Sequence, residues 1–185
     1  ISFLTIQSLQ ESDTDSWASE ELSEAEMEEI NKKDYGQLST SQIRNRQVYA
    51  AIRAYAEIMK CDDDLHPHEI HLVGVLTEIE MKKLIGDYDM NSEEFKFVWS
   101  SEENLFTSLK TYNKEQQEIF YNNLFFILAS DAEFHQNEMD FMLNMYHNIT
   151  GSGGNIEDSM PKVIDMFEKF MHLYNTDSSK IKAFK

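Results

Sequence analysis

Cysteine occurs once in this chain of 185 residues, at Cys61. One thiol permits no internal disulfide, which suits a reducing compartment and predicts a cytoplasmic protein. No companion residue marks a catalytic dyad around it. A chain of this length can bury a proper core without such staples. Basic residues are also scarce: 16 Lys and Arg stand against 34 Asp and Glu, a net charge of −18. That imbalance repels nucleic-acid backbone and anionic lipid, and it favours cations and basic partners. No apolar run approaches the roughly 20 residues that span a bilayer, so insertion of this segment into a membrane is not expected. Strand signals are almost absent.

Familiar catalytic motifs are missing as well. There is no Gly-x-Ser-x-Gly and no CxxC pair. Gly151-Ser-Gly-Gly154 lacks the Lys-Ser/Thr and the preceding strand of a phosphate loop, and reads as a flexible joint. His68-Glu-Ile-His71 spaces its imidazoles at i, i+3, not as HExxH. A calcium loop opened at Asp62 would place Pro67 where Gly is needed and Val73 where Glu is needed. No enzyme is expected on these grounds.

What the chain does contain is helical periodicity. Residues 1–34 carry ten acidic residues and two lysines, and predict a solvated, partly disordered lead. Ser23-Glu-Ala-Glu26 has capping-box spacing, so a short helix is expected over 24–33. Ile1, not Met, comes first, so the natural chain is expected to extend upstream or to have been trimmed. Ile52, Tyr55, Ala56 and Met59 mark one face of a helix over about 41–60. Leu72, Val75, Leu76 and Ile79 mark a second over about 67–85, closed by Gly86. Asn91 is placed to cap a short helix bearing Phe95, Val98 and Trp99, and Leu105 and Leu109 suggest another. Asn113 opens a long helix with Phe120, Leu124, Ile127 and Leu128 on one face. Met139, Met142, Leu143 and Tyr146 follow on the next, then Val163, Phe167, Phe170, Met171 and Tyr174 on the last. These Met and aromatic stripes read as core, not as a cofactor pocket.

The pattern predicts an all-α fold: a single bundle of about seven to eight helices with two pseudo-repeated helical hairpins. Its expected divisions are an acidic lead (1–40), a helical domain (41–150), a Gly-rich joint and C-terminal helix on the same bundle (151–176), and a tail (177–185).

The hairpins are suggested by an internal repeat. KCDDDLHPHEIHLV (60–73) aligns without a gap on ASDAEFHQNEMDFM (129–142) at a shift of 69. Asp62 falls on Asp131, Asp64 on Glu133, Leu65 on Phe134, His66 on His135, Glu69 on Glu138 and Ile70 on Met139. Much of this is helix-start chemistry. With His66 at N-cap, Pro67 takes N1, where its missing N–H costs nothing, and Glu69 takes N3, within reach of the His66 N–H. Leu65 and Ile70 would form a hydrophobic staple. Acids near a helix start also suit the macrodipole.

Three features need another reason. His is a mediocre N-cap yet stands there twice. Asp62 and Asp131 precede the cap by four residues. The Asp-x6-Glu spacing recurs. If the two junctions meet, Asp62, Glu69, Asp131 and Glu138, with His66 and His135, could ligate a divalent cation such as Ca²⁺, Zn²⁺ or Mg²⁺.

The duplicated junction resembles the tellurite-resistance TerB-like family. That family shows Ala-Asp-Gly, an acid or polar residue, an apolar residue, then Ser/Thr-x-x-Glu, twice in one helical domain. Cys61–Glu69 and Ser130–Glu138 look like those copies, and the likeness covers about 41–150. It implies an all-helical, acidic-surfaced, non-enzymatic module tied to tellurite and stress resistance. Related domains occur in a membrane-anchored DnaJ-like co-chaperone. It also implies divalent metal binding through Asp62, Glu69, Asp131 and Glu138. The departures are Asp63 and Ala132 at the motif Gly, and His for Ser/Thr at the cap, which tilts the ligand set toward zinc-like metals. Two other readings stand beside this one. The first is an acidic protein–protein interaction module that binds a basic partner without metal. The second is a small metal-dependent hydrolase using His66, His135 or Glu133 as its base.

Overall fold

Ser39 starts the first helix. Its hydroxyl accepts from the Gln42 N–H at 3.3 Å, and Gln42 Oε1 accepts from the Ser39 N–H at 2.8 Å. This reciprocal box satisfies two donors that a helix start would otherwise leave bare. The computed structural model describes residues 38–61, 65–130, 135–150 and 154–173. The acidic lead with its expected Ser23 helix, Tyr174 and the tail lie outside these, as does most of the glycine run.

Seven α-helices and no strand occur among the described residues: α1 (Thr40–Met59), α2 (Pro67–Met81), α3 (Glu93–Ser100), α4 (Glu102–Leu109), α5 (Lys114–Ala129), α6 (Gln136–Thr150) and α7 (Met160–Leu173). A 3₁₀ turn, Ile156–Ser159, leads into α7. The all-α bundle expected from periodicity is the observed architecture.

The bundle is organised around α1, which packs against α2, α3, α4 and α5. Ala50, Ala51 and Ala54 on it are wholly buried, and their small side chains let neighbours approach closely. Tyr49, Tyr55 and Ile58 fill the same layer. α2 also packs on α5, α4 on α6, and both α5 and α6 on α7. The residues of α7 belong to the same core: Phe167 and Phe170 meet Phe125 with ring centroids 5.2 and 5.6 Å apart.

Polar side chains join the helices inside this core. The Tyr55 hydroxyl donates to Glu80 Oε1 at 3.1 Å and accepts from Asn123 Nδ2 at 3.0 Å, linking α1, α2 and α5. Gln47 Nε2 donates to Thr111 Oγ1 at 2.7 Å, and the Tyr112 hydroxyl donates to the Gln47 carbonyl at 3.3 Å. Arg53 donates to the carbonyls of Val98 and Ser101 at the end of α3, and pairs with Glu57 at 2.7 Å. A cation there complements the negative helix end.

Two boundaries differ from the periodic reading. α2 ends at Met81, not near residue 85. Lys83 N–H and Leu84 N–H turn to carbonyls three residues back, Glu80 and Met81, so the last turn tightens. Asn45 then holds Ile85 by a two-way bond to its carbonyl and N–H, at 3.0 and 2.9 Å. Gly86 follows at φ 92°, a conformation glycine adopts without strain. The cap of α3 is Ser92, not Asn91. The Asn91 N–H donates to Asp89 Oδ1 at 2.8 Å in a local turn, and the Ser92 hydroxyl accepts from the Phe95 N–H at 3.2 Å.

Replacing Tyr55 by Phe removes one hydroxyl and takes a hydrogen-bond partner from buried Asn123 and from buried Glu80. We expect a loss of about 1–3 kcal/mol in urea-unfolding stability, with the helical circular dichroism of the folded protein unchanged.

Candidate functional site: two helix junctions

Each junction is built from a helix that ends, a short acidic connection and a helix that begins. At the first, Lys60 and Cys61 close α1 by donating to the Glu57 and Ile58 carbonyls at 3.1 and 3.2 Å. α2 then starts with His66 as N-cap and Pro67 in its first turn. Glu69 N–H and Ile70 N–H both donate to the His66 carbonyl, at 3.0 and 3.1 Å. At the second, Glu138 N–H and Met139 N–H donate to the His135 carbonyl, at 3.1 and 3.4 Å. The repeat seen in sequence is therefore also a repeat of backbone hydrogen bonding.

The Glu at N3 is buried in both copies: Glu69 is 1% exposed and Glu138 2%. Glu138 Oε2 accepts from the His135 N–H at 3.0 Å, the backward half of a capping box. Burial of a carboxylate costs free energy unless donors or cations answer it, and a helix N-terminus supplies oriented N–H groups. The staple expected at the first junction buries little, since Leu65 and Ile70 are each about half exposed (50% and 48%). Met139, the equivalent of Ile70, is buried.

The two junctions meet at Cys61. Asn137 Nδ2, on α6, donates to the Cys61 carbonyl at 3.4 Å, across from one copy to the other. The thiol lies half-buried and donates to the Glu57 carbonyl at 3.3 Å. Burial pushes its pKa up to about 11, with the negative charges of Glu138, Glu57 and Glu69 adding to the rise. Glu69 and Glu138, equivalent residues of the two copies, thus act on one sulfur atom. Sequence reading treated Cys61 as a lone thiol and gave Asn137 no role. The gapless repeat was the available signal, because Asn137 is the counterpart of His68 on the second helix start.

His66 is the N-cap that the sequence placed there, and its side chain does the capping. Its Nδ1 accepts from the His68 N–H at 3.4 Å, and the two imidazole rings stack with centroids 5.1 Å apart. A neutral imidazole has one lone pair and one N–H. With Nδ1 accepting, Nε2 carries the proton and cannot coordinate. His66 can therefore cap α2 or ligate a metal, not both at once.

Asp62, Asp131, Asp64 and Glu133 lie outside the described residues. Among the described residues, no group of three or more His, Cys, Asp and Glu is placed to hold a metal ion. Glu69, Glu138, His66 and His135 are the members of the expected ligand set whose positions are described, and the two carboxylates are the ones that bear on the Cys61 thiol.

A thiol with so high a pKa should alkylate slowly. At pH 8 the native protein is expected to react with iodoacetamide roughly tens of times more slowly than the urea-unfolded chain, followed by intact mass. Glu138→Gln should speed the native reaction. Equal rates in folded and unfolded protein would show that Cys61 is not held as described.

In comparisons with known protein families, curated proteins and solved structures, nothing matches this chain, so the junctions themselves carry the functional reading.

Proposed function

We propose that the chain is a non-enzymatic, TerB-like helical module that takes a divalent cation at its paired helix junctions, in a cytoplasmic response to tellurite or metal stress. The observation that carries this is the matched pair of Glu69 and Glu138. Both are buried at the third position of equivalent helix starts, and both bear on the Cys61 thiol. Carboxylates drawn together in a protein of net charge −18 repel one another, and a cation relieves that repulsion. In this reading Asp62 and Asp131 join the two glutamates as oxygen ligands. His135, and His66 once released from its cap, add nitrogen for a zinc-like ion.

The net charge also favours a second reading, an acidic interaction module that binds a basic protein partner and uses no metal. Calorimetric titration of chelator-treated protein with Ca²⁺, Zn²⁺, Mg²⁺ and Mn²⁺ separates the two. The metal reading expects binding of at least one ion, weakened about tenfold or more by Asp62→Ala and by Asp131→Ala. No heat and no thermal shift with any of the four ions would sink it and leave the partner reading. Binding that both substitutions leave intact would move the ion elsewhere.

A further inference from the structure

The connection from α2 to α3 and the helix that follows display apolar side chains that the fold does not cover. Ile85, Tyr88, Met90 and Trp99 are four of the eight large apolar residues exposed among the described residues, at 47%, 41%, 59% and 38%. Tyr88 and Trp99 flank one buried ring. Trp99 stacks on Phe95 with centroids 4.2 Å apart, and Tyr88 meets Phe95 edge-on at 6.1 Å. Tyr49 of α1 backs this group, 5.3 Å from Phe95 and 5.8 Å from Tyr88.

Residues 85–91 are all exposed, yet their backbone is held. Asn45 bonds Ile85 in both directions, and the Asp89 N–H donates to the Tyr49 hydroxyl at 3.2 Å. An apolar surface fixed in this way loses little freedom when a partner covers it, which lowers the cost of binding. Exposed aromatic and Met side chains gathered in one place are also the usual anchors of an interface.

Charge names the kind of partner. Residues 85–99 contain four acids, Asp87, Asp89, Glu93 and Glu94, and one base, Lys96. None of the four carboxylates is in an ion pair among the described residues. A second copy of the chain would bring the same acids against them. Four side chains also make a small patch beside the roughly 1,200–2,000 Å² that folded partners usually bury. Both points favour a short basic segment, whose cations answer the carboxylates and the aromatic faces while its apolar residues cover Met90 and Trp99.

We propose that Tyr88, Met90 and Trp99, with the carboxylates beside them, form a docking surface for a short basic segment of another protein, with Lys or Arg set between large apolar residues. The proposal rests on the second functional reading, the acidic module with a basic partner, and gives that partner a place on the fold away from the junctions.

The test uses the full chain and a fluorescein-labelled peptide of Lys-Leu-Leu-Lys repeats, with two counterparts that carry Glu for Lys or Ser for Leu. Anisotropy measures affinity, and amide chemical shifts locate the peptide. The Lys/Leu peptide should bind at least tenfold more tightly than either counterpart, with shifts centred on residues 85–99. Met90→Ser with Trp99→Ser should weaken it about tenfold. Met90→Ser alone, at the most exposed of the four, should weaken it about threefold with the melting temperature unchanged, so the loss is not one of folding. Asp87→Asn with Glu93→Gln should weaken it and flatten its salt dependence. Leu65→Ser with Ile70→Ser, an exposed apolar pair at the first junction, should change nothing. Shifts centred elsewhere, or affinity indifferent to the substitutions at Asp87, Met90, Glu93 and Trp99, overturn this surface and leave the basic-partner reading standing. No binding of the Lys/Leu peptide overturns both. Equal binding of a counterpart peptide removes the proposed chemistry. Self-association of the chain that Met90→Ser abolishes would give the surface to a second copy. Signals of residues 1–37 that move with Met90→Ser in the free chain would give it to the chain's own lead. Either result also overturns the proposal.

Discussion

The Tyr55 hydroxyl is the point on which three helices depend. Its side chain has no exposure, so water cannot satisfy it, and the fold must. Glu80 from α2 accepts its proton and Asn123 from α5 donates to its oxygen. Glu80 is itself buried, and Lys83 one turn later pairs with it at 3.4 Å with both side chains nearly covered. Each of these groups is tolerable inside only because the next one is there. The chain fixes α1, α2 and α5 relative to one another by polar geometry as well as by apolar contact, because a shift of any one would leave donors or acceptors bare. The two junctions lie at the ends of these same helices: α1 runs into the first, α5 into the second.

That arrangement explains how two carboxylates 69 residues apart in sequence come to act on one sulfur. Helix starts tolerate acids, so one buried Glu at N3 is ordinary. Two of them at equivalent starts both add, with Glu57, to the negative charge that burial and neighbours set against the Cys61 thiol. Capping accounts for part of what the sequence left open. His66 serves as an N-cap through Nδ1, and that use competes with coordination through Nε2. The proposed cation and the α2 cap are thus coupled through a single imidazole.

Most of the helix positions were legible because each depends on local chemistry. Asn113 sits where capping rules put it, and the expected apolar faces of α5 and α7 are buried where described, while on α1 Ile52 and Tyr55 are buried and Ala56 and Met59 only partly so. The misses have local causes with distant partners. α2 stops early because Asn45, on another helix, holds Ile85. Ser92, one residue beyond Asn91, is the cap, its hydroxyl accepting from the Phe95 N–H. The staple at Leu65 and Ile70 buries little because no helix covers that surface among the described residues.

Periodicity, caps and the gapless repeat were enough to determine an all-helical bundle with two like junctions, because hydrogen bonds within four residues and one-sided burial are written in the local order of residues. Which junction residues meet, Asn137 on Cys61, and that Glu69 and Glu138 both bear on the Cys61 thiol were decided only by tertiary packing. Those relations join side chains from separate helices, and burial and charge act through distance in space, which residue spacing along the chain does not encode.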